Sequence, residues 1–366
     1  MALQCGIVGL PNAGKSTIFN ALTALEVPAE SFPFCTIDPN TGVVAVPDER
    51  LPKLAHIYKP GMVTPAVVEF VDIAGLVRGA SKGEGLGNQF LAHIRQVDAL
   101  VHVIRCFVDP DISHVEGTVD PVRDAELIET ELLLKDLETV EKRLPVLEKK
   151  AHSGDKEAGT ELASLQVLHN GLSDGKMIRN LTLTEPDKAV AQMLNLLTVK
   201  SILYVANVDE REIQSEIRAP QIQALVDFAA AEGNLCIRLC GKIEQEIALL
   251  DQSEQAEFIA EYNLKEIGLT KLIHAAYDLL GYQTFFTGSR KEVRAWMAPK
   301  GATAYHAAGI IHTDFQRGFI KAEVFHYDEL IRLGSEKAVK ETGLVGLEGR
   351  NYIVRDGDLI FFKFNV

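Results

Sequence analysis

The apolar residues in the first third of the chain fall into short unbroken runs, separated by stretches with apolar side chains every three or four residues. The runs are typical of buried strands, and the spacing between them is typical of helices around residues 15–25 and 88–95. Strands that alternate with helices indicate a doubly wound, mainly parallel sheet over residues 1–122. The predicted strands are Gly6–Gly9, Val67–Asp72 and Ala99–Cys106.

A heptad pattern replaces this alternation over residues 124–150, where leucine or valine recurs at intervals of four and three residues. A Ser-Gly-Asp break at residues 153–155 and a second leucine-containing segment over residues 156–172 predict an antiparallel helical hairpin. The hairpin is inserted as residues 123–183. Pro145 lies within its first helix and predicts a kink or a restart there. Two ordinary surface helices are the alternative interpretation.

The alternating pattern resumes at Thr184, where the run Thr-Glu-Pro is a helix-start signal. Apolar strands are predicted after it at Ile202–Val205 and Leu235–Leu239. The hairpin is therefore an insertion within one α/β domain, which consists of residues 1–122 and 184–282.

Residues 283–366 are richer in aromatic and β-branched side chains. Within them, Tyr352–Phe362 predicts a β-hairpin with Asp356 and Gly357 at its turn. One helix is predicted near residues 328–333. This part of the chain is expected to form a small mixed α+β domain.

The composition of the chain mainly excludes classes of function. The chain has 366 residues, of which 47% are hydrophobic, and five cysteines with no C-x-x-C pair. With no apolar run long enough to span a membrane and no basic leader, a cytoplasmic protein without membrane contact is expected. The net charge of −14 argues against binding to DNA and against non-specific nucleic-acid binding. Residues 283–366 carry 12 Lys and Arg against 10 Asp and Glu, a net of +2, so any RNA contact is expected there or at local basic patches.

The strongest functional signal is Gly9–Thr17, which fits the phosphate-binding pattern G-x-x-x-x-G-K-[ST]. A predicted strand precedes it and a predicted helix follows it, as the pattern requires. Glycines such as Gly14 let backbone N–H groups surround anionic oxygens, and Lys15 adds a positive charge. The Ser16 hydroxyl is placed to bind Mg²⁺. The sequence therefore predicts a nucleotide-binding protein.

Two further segments supply partners for the metal and the γ-phosphate. Asp72 ends an apolar strand and begins a D-x-x-G pattern, so its carboxylate can hold Mg²⁺ and the Gly75 N–H can reach the γ-phosphate. Thr36 is the candidate switch threonine that completes the Mg²⁺ shell. The many glycines of residues 78–88 suit a loop that orders and disorders with nucleotide state.

The residue after Gly75 is Leu76, at the position where Ras-like enzymes carry a glutamine that orients the attacking water. A leucine cannot orient water. Backbone groups, a monovalent cation such as K⁺ near Asn12, or a side chain from a mobile loop are the alternatives. His114 is the candidate side chain for this catalytic role.

The run Asn207–Glu210 departs from the base-reading pattern N-K-x-D of GTP-specific proteins. The lysine is missing, and Glu210 stands where an aspartate would accept two N–H groups of guanine. This removes the main reason to expect guanine specificity, although it does not by itself require adenine. The candidate base contacts are Asn207, the backbone of Val208 and the stem of Lys242.

Together these segments resemble the Obg-like ATPase family, also called YchF, among the translation-factor-related P-loop GTPases. The resemblance includes Phe32–Ile37, Gly79–Asn88, Lys291–Trp296 and Gly309–Phe315, and it spans essentially the whole chain. It implies a G domain, an inserted coiled-coil hairpin and a C-terminal TGS domain of β-grasp type. It also implies hydrolysis of ATP in preference to GTP and association with ribosomes, with the large subunit or whole ribosome and its RNA as the expected partners.

The resemblance also implies roles for particular residues. It makes Ser16 and Thr36 ligands of Mg²⁺, makes Asn207 and Val208 the readers of adenine, and aligns His114 with a family histidine. The implied phosphate contacts are Asn12, Ala13, Gly14, Lys15, Ser16 and Thr17.

Two other functions stay open on the sequence. One is a GTP-specific switch. The other is a ribosome- or RNA-binding module with negligible turnover, in which ATP only sets the state of the loops.

Overall fold

The computed structural model describes residues 3–25, 40–73, 86–215, 217–262 and 266–365. Within these ranges the chain forms two compact units, the first from residues 3–25, 40–42 and 69–276 and the second from residues 43–68 and 277–365. Residues 43–68 thus belong with the C-terminal part, although they lie early in the chain. The domain boundaries drawn from the sequence stay predictions.

The strands of the described residues form two sheets. In chain order they are β1 (Gln4–Val8), β2 (Thr41–Ala45), β3 (Met62–Thr64), β4 (Val67–Asp72), β5 (Ala99–Arg105), β6 (Ser201–Asn207), β7 (Cys236–Leu239), β8 (Tyr282–Gly288), β9 (Glu292–Pro299), β10 (Phe319–His326), β11 (Gly346–Glu348) and β12 (Asp358–Phe364).

The helices lie between these strands. In chain order they are α1 (Lys15–Thr23), α2 (Arg50–Tyr58), α3 (Leu86–Gln96), α4 (Pro121–His152), α5 (Lys156–Ser173), α6 (Glu185–Met193), α7 (Glu210–Gln214), α8 (Pro220–Ala231), α9 (Gly241–Ala248), α10 (Gln252–Glu261), α11 (Gly268–Leu279), α12 (Ala304–Ile311), α13 (Thr313–Arg317), α14 (Tyr327–Leu333) and α15 (Glu336–Glu341). Across the described ranges, no helix has both the length and the apolar character needed to cross a membrane.

The first sheet has the strand order β2-β4-β1-β5-β6-β7. Strand β1 pairs in parallel with β4 and β5, and β6 pairs in parallel with β5 and β7. Every residue of β5 is buried, as expected for a strand covered by helices on both faces. The predicted doubly wound, mainly parallel sheet is confirmed. The carboxyl ends of its parallel strands lie at one edge, where ligands bind in folds of this class.

Helix α4 contributes to two hydrophobic clusters along its length. Near its start, Ile128 and Leu132 join the core of the first sheet. Further along, Val140 and Leu147 pack in a separate cluster with Leu165 of α5. The predicted helical hairpin is therefore present, and its first helix begins as a layer on the sheet.

Of the kink or restart predicted at Pro145, the restart is wrong, because α4 continues through this residue, and the kink stays a prediction. A proline removes one backbone donor from the helix. On either side of it, Leu144 and Leu147 pack in the hairpin cluster, and Arg143 bonds to Glu161 of α5 at 2.8 Å. These contacts with the second helix offset the lost hydrogen bond.

The buried carboxylate of Asp136 ties the hairpin to the first sheet. It accepts hydrogen bonds from the backbone N–H groups of Leu197 at 2.8 Å and Thr198 at 2.7 Å. The Thr198 hydroxyl donates a third bond at 2.7 Å. Because these two residues lie just before β6, the position of α4 is fixed relative to that strand.

The second sheet has the order β11-β10-β12-β8-β9-β3. Strand β12 pairs antiparallel with β10 and parallel with β8. Its core includes Phe285, Val324 and Ile360, which pack with the alanines of α12. The predicted mixed α+β architecture is confirmed, and the name TGS for this unit stays a prediction.

The β-hairpin predicted within Tyr352–Phe362 is wrong. On the near side of the Asp356 turn, Ile353 makes only an isolated bridge with Thr303, and no strand there pairs with β12. The Asp356 carboxylate accepts a hydrogen bond from the N–H of Thr284 on β8 at 2.9 Å. The segment is therefore bonded to other parts of the unit instead of to the strand that follows it.

The number of helices predicted for residues 283–366 is also wrong. The described residues after β9 form four short helices, α12 to α15, where one was expected. Each has at most eight residues, which is too short for a helical period to stand out from the surrounding apolar residues.

One strand from residues 43–68 forms an edge of the second sheet. Strand β3 pairs in parallel with β9, and the Thr64 hydroxyl donates to Glu292 at 2.6 Å. Arg50 on α2 pairs with Asp356, with 2.6 Å between Nη1 and Oδ2. An early segment of the chain is thus an integral part of the C-terminal unit.

His102 on β5 is a buried polar residue in the core of the first unit. It is 1% exposed, and its Nδ1 atom has no hydrogen-bond partner within the described ranges. Its ring lies 5.6 Å from that of Tyr204. Burial, with smaller contributions from the charges of Arg179 and Lys15, lowers the pKa of His102 to about 3. The folded protein therefore keeps this imidazole neutral.

We expect His102 to make the first unit sensitive to acid. The unfolded chain takes up a proton here near pH 6.5 and the folded chain only near pH 3, so lowering the pH through this window favours unfolding. Between pH 7.5 and pH 5 this residue should cost about 2 kcal/mol of stability, and His102→Gln should remove that loss. Amide exchange of β5 and β6 measures it, because a chain of two units need not unfold in one step.

The control is His93→Gln, at an exposed position on α3, which should keep the acid sensitivity of the wild type. If His102→Gln loses stability between pH 7.5 and pH 5 as steeply as the wild type, the assignment is contradicted.

Candidate active site

The loop between β1 and α1 has a backbone that only certain residues allow. Asn12 has a φ of 62° and Gly14 a φ of 92°, both in the left-handed region. A Cβ atom on Gly14 would lie 2.1 Å from Nδ2 of Asn207, and one on Gly9 would lie 2.3 Å from the carbonyl oxygen of Val103. Both glycines of the phosphate pattern are therefore required by close approach to neighbouring atoms.

The side chain of Asn207 ties this loop to the end of β7. Its Nδ2 donates to the carbonyl oxygen of Ala13 at 2.9 Å, and its Oδ1 accepts from the N–H of Gly241 at 2.9 Å. One amide hydrogen and one lone pair remain for a ligand. The N–H of the next residue, Val208, donates to the carbonyl of Leu239 at 2.9 Å. The adenine contacts expected of Asn207 and Val208 stay predictions.

Lys15 begins α1 and lies beneath the loop. It is 8% exposed, and its Nζ donates to the carbonyl oxygen of Leu10 at 2.9 Å. Burial lowers the pKa of Lys15, and the charge of Asp72 opposes this shift. Because burial costs a cation its hydration, phosphate oxygens would supply the negative partners that the ammonium group lacks.

Ser16 and Asp72 come together at the start of α1. The Ser16 hydroxyl donates to Oδ2 of Asp72 at 3.2 Å, and Oδ1 of Asp72 is buried with no hydrogen-bond partner in the described part of the chain. Hydroxyl and carboxylate oxygens are ligands that Mg²⁺ prefers, so this pair fits a cation or its bound water. Thr36, Gly75 and Leu76 lie outside the described residues, and their roles stay predictions.

A cavity of about 600 Å³ lies beside the phosphate loop, within the size range of small-molecule sites. Its wall is formed by the phosphate loop and by the segments that follow β5, β6 and β7. The structure therefore brings residues from four distant parts of the chain together. The predicted nucleotide contacts that line it are Asn12, Gly14, Thr17, Asn207, Val208 and Lys242.

Glu210 and Lys242, which both line this cavity, form an ion pair with 2.6 Å between Oε1 and Nζ. The hydrogen bond from Lys242 to Glu210 raises the pKa of the lysine. The neighbouring Asp209 caps α7 by accepting from the N–H of Glu212 at 2.8 Å. Glu210, at the position of a guanine-reading aspartate, and its neighbour Asp209 are thus both engaged within the protein.

His114 is buried in this structure, with 4% of its side chain exposed. Its Nε2 lies 2.8 Å from Oδ2 of Asp124, and its Nδ1 accepts from the N–H of Glu116 at 3.1 Å. Because a backbone N–H can only donate, a neutral ring carries its proton on Nε2 and donates it to Asp124. Both ring nitrogens are therefore engaged, and His114 must leave this position to meet a nucleotide. Its catalytic role stays a prediction.

Sequence reasoning missed two residues that shape this site. Arg105 is 3% exposed at the end of β5, and an arginine that closes an otherwise apolar strand was the available signal. Asp124 was interpreted only as the start of the hairpin helix. Acidic residues are common in the first turn of a helix, so its pairing with His114 left no separate trace in the sequence.

The geometry defines a class of protein. A buried parallel strand leads through the left-handed residues of a phosphate loop into a helix whose first residues are Lys15 and Ser16, and Asp72 of a neighbouring strand meets that serine. This is the arrangement of a P-loop nucleoside triphosphatase.

Comparison with known proteins narrows the class to a family. Residues 4–143 match the family model MMR_HSR1, described as a 50S ribosome-binding GTPase. Residues 282–365 match YchF-GTPase_C, described as a protein of unknown function (DUF933).

Full-length relatives extend the match over the whole chain. Proteins named ribosome-binding ATPase YchF from Escherichia coli O157:H7 and Bacillus subtilis are each 50% identical over 366 residues, covering 100% of both chains. The solved structure of the Schizosaccharomyces pombe YchF GTPase superposes with a TM-score of 0.89 at 38% identity, over 99% of this chain and 97% of that one. The chain belongs to the YchF family of P-loop GTPases.

We expect Asn207→Ala to weaken nucleotide binding about tenfold or more. The substitution leaves the Ala13 carbonyl and the Gly241 N–H without their partner, which costs about 1–3 kcal/mol and frees the phosphate loop from β7. Calorimetric titration with ATP in Mg²⁺ buffer measures the effect. Asn170→Ala, at an exposed position on α5, is the control and should bind like the wild type. An unchanged dissociation constant in folded Asn207→Ala would show that the brace is dispensable.

Proposed function

We propose that this chain is a Mg²⁺-dependent ATPase that hydrolyses ATP to ADP and phosphate and associates with ribosomes in a nucleotide-gated manner. The P-loop geometry supports the nucleotide chemistry. The full-length relatives named ribosome-binding ATPase support the choice of ATP and of the ribosome. Cytoplasmic location, without contact to membranes or DNA, is part of the proposal.

The triphosphate binds where the site lacks internal partners. Lys15 gives its buried charge to phosphate oxygens, and the backbone of the loop donates N–H groups around them. The implied phosphate contacts are Asn12, Ala13, Gly14, Lys15, Ser16 and Thr17. Ser16, Asp72 and Thr36 would hold a Mg²⁺ ion, which would supply positive charge beside the phosphates.

Water placement is assigned to groups other than a glutamine. Gly75 offers its N–H to the γ-phosphate, and His114, once released from Asp124, is the candidate side chain for the water. A K⁺ ion near Asn12 is a further proposed element. It would use Oδ1 of that residue, because Nδ2 donates to the carbonyl of Ser113 at 3.1 Å. With Leu76 in place of the glutamine, turnover by the protein alone should be slow, on the order of 10⁻⁴ to 10⁻² s⁻¹.

The ion pair between Glu210 and Lys242 is the structural observation that favours ATP over GTP. A carboxylate bound to a cation is a poorer acceptor for the two N–H groups of guanine. Asn207, the Val208 backbone and the Lys242 stem are left as the contacts of the base. ATP is then preferred because the site offers guanine no strong acceptor for its two N–H groups.

Titration of ATP and GTP in Mg²⁺ buffer tests this proposal. We expect ATP to bind more tightly than GTP, and Lys242→Ala to reduce the ratio of the two affinities about tenfold by freeing Glu210. Lys15→Ala should abolish ATP hydrolysis, and Lys149→Ala, exposed at the end of α4, should leave it unchanged. Omission of Mg²⁺ should stop turnover.

Each alternative function gives a distinct result in the binding and hydrolysis measurements. GTP bound at least as tightly as ATP would favour a GTP-specific switch. Unchanged turnover in Lys15→Ala would reject the site assignment. Tight ATP binding without measurable hydrolysis would favour a binding module that uses ATP only to set its loops.

Ribosome association is tested by cosedimentation with ATP, with ADP and without nucleotide. We expect the pelleted fraction to depend on the nucleotide, because residues 43–68 of the second unit continue directly into the strand that carries Asp72. Equal pelleting in all three states would exclude nucleotide gating. No pelleting in any state would exclude the ribosome as a stable partner.

A further inference from the structure

Arg105, the last residue of β5, is a buried cation without a carboxylate partner. It is 3% exposed, and no Asp or Glu oxygen of the described chain lies within ion-pair distance of its guanidinium. A charge removed from water is costly unless hydrogen bonds compensate it. The compensation must therefore come from neutral groups.

Backbone carbonyls of the segment after β5 provide that compensation. The Nε of Arg105 donates to Phe107 at 3.1 Å, and Nη1 donates to Ser113 at 3.2 Å. Its Nη2 donates to both Asp109 at 3.2 Å and Ile112 at 3.0 Å. The guanidinium carbon also lies 4.7 Å from the centre of the Phe107 ring. One side chain thus sets the path of the whole segment, hereafter the 107–114 loop.

The 107–114 loop is part of the candidate active site at both of its ends. Phe107 and Ile112 line the 600 Å³ cavity. The Ser113 carbonyl, held by Arg105, also accepts from Nδ2 of Asn12 in the phosphate loop at 3.1 Å. His114 is the next residue. The position of this histidine is therefore linked to the phosphate loop through the carbonyl that Arg105 holds.

We propose that Arg105 is a positioning residue for nucleotide hydrolysis, which fixes the backbone of the 107–114 loop so that His114, once released from Asp124, lies beside the phosphate loop. The inference rests on the proposed ATPase function for its kinetic part and on the hydrogen-bond network for its structural part. A lysine cannot replace the arginine, because a single ammonium group cannot reach four carbonyls in the geometry of a planar fork.

The test compares Arg105→Lys with Arg143→Lys. Arg143 binds Glu161 within the helical hairpin, so the control changes an arginine with structural contacts elsewhere. In nucleotide-free protein, amide exchange over residues 107–114 should be about tenfold faster in Arg105→Lys and unchanged in Arg143→Lys. The value of kcat for ATP should fall about tenfold in Arg105→Lys, while the affinity for ADP stays within about threefold, because the contacts of Asn207 with Ala13 and of Lys15 with Leu10 do not involve Arg105.

A double variant asks whether Arg105 acts through His114. If it does, Arg105→Lys should lower kcat no further in a His114→Ala background than it already is in His114→Ala alone. A merely structural role predicts a second, additive tenfold loss. Additive loss would overturn the positioning role, as would wild-type exchange of the 107–114 loop in Arg105→Lys.

Failure of this inference can be told apart from failure of the proposed function. If Lys15→Ala hydrolyses ATP like the wild type, the ATPase assignment fails whatever happens at Arg105. If Lys15→Ala is inactive but Arg105→Lys keeps the wild-type kcat, the ATPase assignment stands and the role of Arg105 is overturned. The exchange measurement requires no turnover and tests the structural part by itself.

Discussion

The carboxamide of Asn207 holds two backbone groups from loops that lie far apart in the chain. These are the Ala13 carbonyl oxygen and the Gly241 N–H. The parallel sheet makes this contact possible, because β1, β6 and β7 end at the same edge. The contact leaves no room for a side chain at residue 14, where a Cβ atom would lie 2.1 Å from the amide nitrogen. The loop geometry that positions Lys15 and Ser16 is thus set by a residue almost two hundred positions away.

The distribution of satisfied and unsatisfied groups explains what the site can bind. At the phosphate end, Lys15 is compensated by a carbonyl, and an oxygen of Asp72 has no partner in the described chain, so anionic oxygens and a cation are favoured there. At the cavity wall formed by Glu210 and Lys242, the charges already neutralise each other. Charge is therefore available for a phosphate group and a metal ion and much less available for a base.

The long elements of the fold could be predicted from the sequence, and the short ones could not. The buried strands and the helical hairpin could be predicted, because an unbroken apolar run or a sustained heptad pattern reflects burial directly. The C-terminal details were not. The apolar alternation around residue 356 suggested a β-hairpin, but the Asp356 carboxylate bonds to Thr284 and Arg50 instead, partners from distant parts of the chain. At Pro145 the helix continues without a restart, because the residues around it pack against the second helix of the hairpin.

The amino-acid pattern determined the nucleotide loop, its Lys15 and Ser16, the candidate metal ligand Asp72 and the departure from the guanine-reading motif, because each of these needs particular residue types at fixed local spacing. The tertiary structure alone decided that β3 joins the C-terminal sheet, that Arg105 holds the 107–114 loop and that His114 is held against Asp124. Such choices depend on which of several possible partners lies within hydrogen-bond distance. That distance is a property of the folded chain, and no local pattern of hydrophobic and polar residues encodes it.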